Sequence, residues 1–482
     1  MIDLRPVARI LGLLTAALGV LMLLPAFVDW TNGNDNAAVF LTSAVLTGLA
    51  GGLTALATGG QDMRGLSTRQ AFVLTVGTWA VMPLFGALPL LLAGLPGGWT
   101  HAFFEAMSGV TTTGTTVYSG LDDMAPGLLL WRSLLQWLGG LGIIVVALVF
   151  LPVMKVGGMQ YFRTEAFDTM GKVMPRAVDI SKALLQTYLI LTAVAAMVYM
   201  ALGMGGFDAV NHAMTTIATG GFSTSDESFA KFGPAAQYAG GALMVLAGLP
   251  FIRYVQLVNG GVRPLWQDVQ VRAFLRWTVY AVGAVVAYRL VRAEAPVEVV
   301  LRESFFNVVS LFTGTGYGTA DVPSWGDFPL LVVMVVGFVG ACTASTGCSL
   351  KVFRYLVLLE AIKTQLRRIH SPNRVIPVRL GGRPLGEDVI NSVIALFALF
   401  LFSFGVTAVL LSLTGLEMRT AITAAWTAIC NVGPAYGPEV GASGAVDGFP
   451  TPAKWIMIVA MLLGRLELIS VLVLLLPRFW RG

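Results

Sequence analysis

The sequence predicts an all-α polytopic membrane protein: four pseudo-symmetric helix–half-helix–helix units around one axis, preceded by an extra N-terminal helix pair. Three observations predict it. The 482-residue chain is 56% hydrophobic and only 12% charged, with a mean hydropathy of +0.77, whereas a soluble domain carries about 25% charge. Apolar runs of the roughly 20 residues that a bilayer core demands recur about ten times. A Thr/Gly-rich turn appears four times, its final glycines at 114, 221, 316 and 433.

The apolar runs lie near 10–28, 37–58, 71–93, 127–153, 183–204, 235–252, 274–290, 328–357, 389–413 and 455–476. Arg5 and Arg9 precede the first run, as in a signal peptide. That run is long and further spans follow, so it reads as an uncleaved helix. The predicted boundaries are 1–65 for the N-terminal pair and 66–160, 161–265, 266–375 and 376–482 for the four units. Lys and Arg orient the chain. With the N-terminus inside, only Arg132, Lys231, Arg289, Arg292, Arg302, Arg419 and Lys454 of the 31 basic residues fall outside, and Arg465 lies within a span. Both termini are therefore expected in the cytoplasm. The net charge of +5 is spread over short loops between spans, so nucleic acid is not an expected partner.

The turns are Thr111-Thr112-Thr113-Gly114, Ala218-Thr219-Gly220-Gly221, Thr313-Gly314-Thr315-Gly316 and Cys430-Asn431-Val432-Gly433. Each follows a segment too short to cross a bilayer (99–110, 207–217, 303–312 and 419–429), and acidic residues such as Asp122, Asp226, Asp321 and Glu439 come after each. Irregular backbone at membrane depth is tolerated only where it is buried in protein or lines water. Glycine allows successive carbonyls to turn one way, and threonine adds an uncharged acceptor. Such oxygens replace the hydration shell of a monovalent cation, and half-helix C-termini add negative dipole ends. No carboxylate occurs in any turn, which argues against a divalent site. The third turn continues into Tyr317-Gly318, close to the TVGYG loop of potassium channels. The sixteen turn residues are thus the candidate ligands for a transported K+. Glycine-rich helix ends used only for tight packing are the plainer alternative.

The register extends beyond the turns. Phe104-Glu105-Ala106-Met107 aligns with Asn211-His212-Ala213-Met214, with Phe306-Asn307 and with Thr423-Ala424-Ala425-Trp426. Glu105, His212 and Asn307 share a column and are expected to tie each half-helix to a neighbour. His212 lacks the companion ligands a metal site needs. After the third turn the span is broken by Gly337, Gly340 and the small-residue run Ala341 to Ser349. A non-helical loop over 337–350 is expected there; a kinked packing helix is the alternative. Arg465, inside the last run, costs at least ~2.5–3.5 kcal/mol at the bilayer centre and should face an interior. A pair with Glu467 is geometrically poor, since residues two apart do not face each other on a helix; another acid remains possible as a partner. Cys342, Cys348 and Cys430 read as packing residues.

The chain is identified as a member of the Trk/Ktr/HKT superfamily and resembles the TrkH/TrkG subunits of the bacterial Trk potassium uptake system. The resemblance rests on Ser108 to Gly114, Trp131 to Gly142, Gly157-Gly158-Met159-Gln160, Thr219 to Thr224 and Asn431-Val432-Gly433-Pro434. It implies potassium uptake across the bacterial inner membrane, a homodimer with one pore per subunit, and docking on a cytoplasmic nucleotide-binding ring, TrkA. It also implies that the intramembrane loop is a gate, with Gly340, Thr346, Gly347 and Cys348 on it and Arg465 against it. The family pattern has a glycine triplet after Ser-Thr; here Ser345-Thr346 is followed by Gly347-Cys348-Ser349, so two of the three are replaced. The basic stretch from Lys363 to Arg383 would meet anionic lipid or that ring. No organic cofactor is implied. Uptake is either a gated channel or coupled to a proton or sodium gradient. No Asp/Glu/His relay is visible along the inner helices, which favours passive flow. A membrane enzyme lacks a nucleophile or metal motif here, and a scaffold reusing a pore fold is the remaining alternative.

Overall fold

Without water in a bilayer core, a spanning segment must satisfy its own backbone, and the apolar runs accordingly form helices. The computed structural model describes residues 2–59, 66–146, 158, 177–258, 261–293, 295–371 and 373–481. The predicted boundaries at 65/66 and 160/161, the end of the 127–153 run and most of the Gly157–Gln160 match lie outside these residues. Among the described residues, seven helices are long and apolar enough to span a membrane, or up to nine if two sharply bent pairs each count as one.

The N-terminal hairpin is Arg5–Leu21 and Leu23–Thr31 against Asn36–Ala57. Its helices meet through glycines: a Cβ on Gly12, Gly19 or Gly51 would lie within 2.8 Å of backbone on the opposing helix. This small-residue contact is how helices associate where lipid removes a hydrophobic drive. Leu13, Leu24, Phe27, Leu46, Leu53 and Leu56 remain exposed on its outer faces. Buried Asp29 accepts the Gly127 N–H at 2.7 Å, capping the helix Pro126–Val145 and fixing the hairpin to the first unit.

Four short helices precede the turns: Gly98–Val110, Gly206–Ile217, Val297–Thr313 and Met418–Cys430. Each is followed by the turn, a return segment and a second long helix. Those helices are Pro126–Val145, Pro234–Ala247, Asp327–Val339 and Thr451–Arg465. Proline at one of the first two positions starts the first, second and fourth of them. Its missing N–H costs nothing at that position.

Three apolar runs are interrupted, two of them expected as single crossings and the third expected to break. Pro234–Ala247 and Phe251–Val258 meet at 90° across Gly248-Leu249-Pro250, where proline cannot continue the helix. Thr451–Arg465 and Ile469–Leu475 meet at 104°. There Glu467 and Leu468 take left-handed φ values of +57° and +45°. Asp327–Val339 stops at Gly340, and a helix resumes only at Val352–His370, so the loop expected over 337–350 is non-helical from Gly340 to Lys351. A two-residue hairpin, Arg379–Leu380 with Arg383–Pro384, turns on Gly381-Gly382 inside the basic stretch and was not foreseen.

Candidate functional site

Each half-helix ends in the same way. The third residue of each turn donates its N–H to the carbonyl five positions back. These bonds are Thr113 to Ser108 at 2.9 Å, Gly220 to Thr215 at 2.8 Å, Thr315 to Ser310 at 2.8 Å and Val432 to Thr427 at 3.1 Å. This closure needs a left-handed residue just before it. The second positions supply it, with φ of +50° at Thr112, +49° at Thr219, +76° at Gly314 and +52° at Asn431. A β-branched residue is a genuine outlier there, so two threonines at matching places show a conformation imposed by the surroundings.

The fourth positions link the turns into a cycle. Gly114, Gly221, Gly316 and Gly433 have φ of +86°, +80°, +87° and +113°. A Cβ on Gly114 would lie 2.2 Å from Gly220 O, one on Gly221 2.0 Å from Thr315 O, and one on Gly316 2.1 Å from Val432 O. One on Gly433 would lie 2.9 Å from Thr113 O. Each glycine therefore abuts the third-position carbonyl of the next unit, and the fourth unit closes on the first. All four glycines line one cavity of about 400 Å³, together with Asp226, Glu227 and Asp321. The half-helices point their C-terminal ends at this ring, a negative potential built from backbone alone.

The predicted column ties the ring down, but only Glu105 reaches a neighbouring helix as expected; His212 and Asn307 bond the return strand of their own unit instead. Glu105 accepts from Val117 N at 3.0 Å, from Thr116 Oγ1 at 2.9 Å and from Arg132 Nε at 2.8 Å. His212 Nε2 meets Ser223 Oγ at 3.0 Å. Asn307 Oδ1 accepts Thr319 N at 3.2 Å. In the fourth unit the column holds Ala424, and its neighbour Thr423 accepts Tyr436 N at 3.0 Å instead. In each unit, one polar side chain holds the strand that returns from its own turn.

Arg132, counted outside by its position in the chain, is in fact 1% exposed. It donates to both Glu105 and Ser223 O, thereby joining the first and second units. Gln136 was also missed. Its Nε2 donates to Gly220 O at 2.6 Å and its Oε1 accepts Phe222 N at 3.0 Å. Both lie in the Trp131–Gly142 stretch, where polar residues inside an apolar run were the available signal.

The Gly340–Lys351 loop packs against the first, third and fourth turns. Cys348 Sγ is 3.6 Å from Thr112 Oγ1, a Cβ on Gly347 would lie 3.0 Å from Thr313 O, and Ser349 Oγ donates to Cys430 O at 3.1 Å. Thr346 Oγ1 donates to Ala247 O at 3.2 Å. Gly340 turns the chain into the loop with φ of +73°. Arg465 is 4% exposed, with Nη1 2.8 Å from Cys348 Sγ and 3.4 Å from Thr346 O, and Nη2 3.3 Å from Gly139 O. Its partners are thus loop and helix atoms rather than an acid. Glu467 pairs instead with Arg354 at 2.6 Å, just beyond the loop. Cys342, Cys348 and Cys430 are free and buried. Among the described residues no three His, Cys, Asp or Glu side chains cluster as metal ligands.

These observations describe a closed cycle of four carbonyl-bearing turns with a loop packed against it. The family model for TrkH, described as a cation transport protein, matches residues 37–481. The chain belongs to the TrkH family. It is 38% identical to the Trk system potassium uptake protein TrkI of Halomonas elongata, over 99% of this chain and 97% of the relative. It is 34% identical to the Trk system potassium uptake protein TrkH of Escherichia coli K12, over 99% of each. The crystal structure of the potassium transporter TrkH from Vibrio parahaemolyticus superposes with a TM-score of 0.91 over the whole of both chains, at 32% identity. Membership of this transporter family sets the enzyme alternative aside.

Loops between the units of this TrkH-family chain are tied as well. Asp122 accepts from Lys231 Nζ at 3.0 Å, from Ser225 Oγ at 2.9 Å and from Asp226 N at 3.2 Å. Partial burial pushes its carboxyl up, but these bonds outweigh that and hold it below the ordinary value. Since the folded pKa lies below the unfolded one, the tie stabilises above about pH 4 and is lost as pH falls through the folded value. Asp122→Asn should therefore lower the thermal midpoint slightly at neutral pH and by less at pH 3. The effect is small because both side chains are half exposed. An equal offset at both pH values would count against the assignment.

Proposed function

We propose that this chain carries potassium inward across the bacterial inner membrane. Ions would pass through a filter formed by Thr111–Gly114, Ala218–Gly221, Thr313–Gly316 and Cys430–Gly433, with both termini in the cytoplasm. The observation that carries the reading is the closed cycle of fourth-position glycines against third-position carbonyls. Buried carbonyls without a carboxylate suit a monovalent ion that must leave again. The acidic groups beside the cavity raise the local cation concentration. The loop from 337 to 350, with Arg465 against it, acts as the gate: a buried guanidinium so close to the turns repels a cation. The working unit is a homodimer on a cytoplasmic TrkA-like ring, as the resemblance to Trk-system subunits implies.

The test is flux in proteoliposomes of the purified protein, measured with potassium and sodium gradients, with and without a proton gradient. Potassium movement down its own gradient, faster than sodium and indifferent to pH, is the expected result and describes a gated channel. Dependence on the proton gradient would make the protein a symporter. Equal potassium and sodium rates would remove the filter assignment.

A further inference from the structure

Two residues of the loop break the glycine pattern, and both use their side chains to hold it. Cys348 Sγ stands 2.8 Å from Arg465 Nη1 on one side and 3.6 Å from Thr112 Oγ1 on the other. It therefore bridges the guanidinium to the first turn. Ser349 is left-handed, with φ of +69°, a conformation that glycine adopts freely and serine resists. Its hydroxyl lies 2.5 Å from Gly337 O and 3.1 Å from Cys430 O. One contact reaches the helix before the loop and the other the first residue of the fourth turn. Cys348 is out of water at 4% exposure, and Ser349 is partly buried. Bonds of this kind are electrostatically stronger at low dielectric than in water.

We infer that the Cys348 thiol and the Ser349 hydroxyl are closing tethers, which fasten the loop to Arg465 and to two of the four turns. The inference rests on the proposed gate and concerns its regulation. With glycine at both places the loop would keep its backbone contacts, such as Phe251 N to Ala344 O at 2.8 Å and Cys342 N to Gly248 O at 3.1 Å. It would lose the side-chain links to the ion path. Open and closed loops differ in these contacts, so the tethers shift that equilibrium toward closed.

Alanine and glycine separate a tether from mere backbone stiffness. Cys348→Ala and Ser349→Ala remove the polar atom but keep a Cβ, and Ser349→Ala also keeps the left-handed strain. Cys348→Ser retains an acceptor for Arg465. Rubidium uptake should be measured in proteoliposomes at equal reconstituted amounts, with monodispersity on gel filtration checked first. Each alanine variant should raise uptake at least about threefold and the pair at least about tenfold, since a hydrogen bond to a charged group is a sizeable fraction of such an equilibrium. Cys348→Ser should stay near the unaltered protein, and the rubidium-to-sodium ratio should not change in any variant. Misfolded protein would not gain selective uptake. The proposal is overturned if the alanine variants match the unaltered protein while Cys348→Gly and Ser349→Gly rise, because stiffness alone would then explain the loop. It is also overturned if all variants match. Uptake absent from every protein, the unaltered one included, would instead remove the transport reading on which the inference stands.

Discussion

Serine in place of Gly316 is expected to lower the potassium-to-sodium flux ratio by at least about tenfold, a change of about 1.4 kcal/mol in discrimination. The cause is local. Any Cβ there lies 2.1 Å from Val432 O, and the backbone φ of +87° disfavours a side chain in any case. The carbonyl of the fourth unit must move, and with it the third-position oxygens that the proposed filter offers to the ion. Gly318, two residues on, is the control. A Cβ there meets nothing within 4 Å, so Gly318→Ser should behave as the unaltered protein in the same flux assay. Equal ratios in both variants and in the unaltered protein would show that the ring does not choose the ion.

Glu105→Ala is expected to cost about 3–5 kcal/mol, the usual penalty for leaving one partner of a buried ion pair alone. Glu105 is fully buried and Arg132 is 1% exposed. The loss also frees the Val117 N–H and the Thr116 hydroxyl, so the first return strand loses its anchor. The measurement is the thermal midpoint in detergent, followed by gel filtration after heating. Adding Arg132→Leu to the same chain should recover part of the loss, since no stranded charge remains. An unchanged midpoint for Glu105→Ala alone would mean that water reaches Arg132 and the strut is not dry.

The four turns were legible because glycine and threonine recur at fixed places after short helices. What makes them equivalent was not legible. The left-handed second position is filled by two threonines, Thr112 and Thr219, by Gly314 and by Asn431, three residue types with no shared chemistry beyond what the helix end imposes. The column through Glu105, His212 and Asn307 showed in the alignment. Its fourth member slipped by one residue to Thr423, because a hydroxyl reaches Tyr436 from there. Arg465 was legible from its cost in a bilayer. The burial of Arg132 was not legible, because counting charges along the chain cannot see an acid 27 residues earlier that folds onto it. The bends at Pro250 and Glu467 hid inside runs whose hydropathy alone reads as a continuous crossing. At Glu467 the ion pair with Arg354, more than a hundred residues back, accompanies the break.

The contact of Gly433 with the Thr113 carbonyl has a consequence for how the protein is made. A ribosome threads this chain into the bilayer from its N-terminus, and the residue that completes the circle emerges in the last tenth or so of synthesis, after all but the last of the spans. Until then the cycle of turns is open on one side, and a chain cut short before Gly433 lacks the contact that joins the fourth turn to the first.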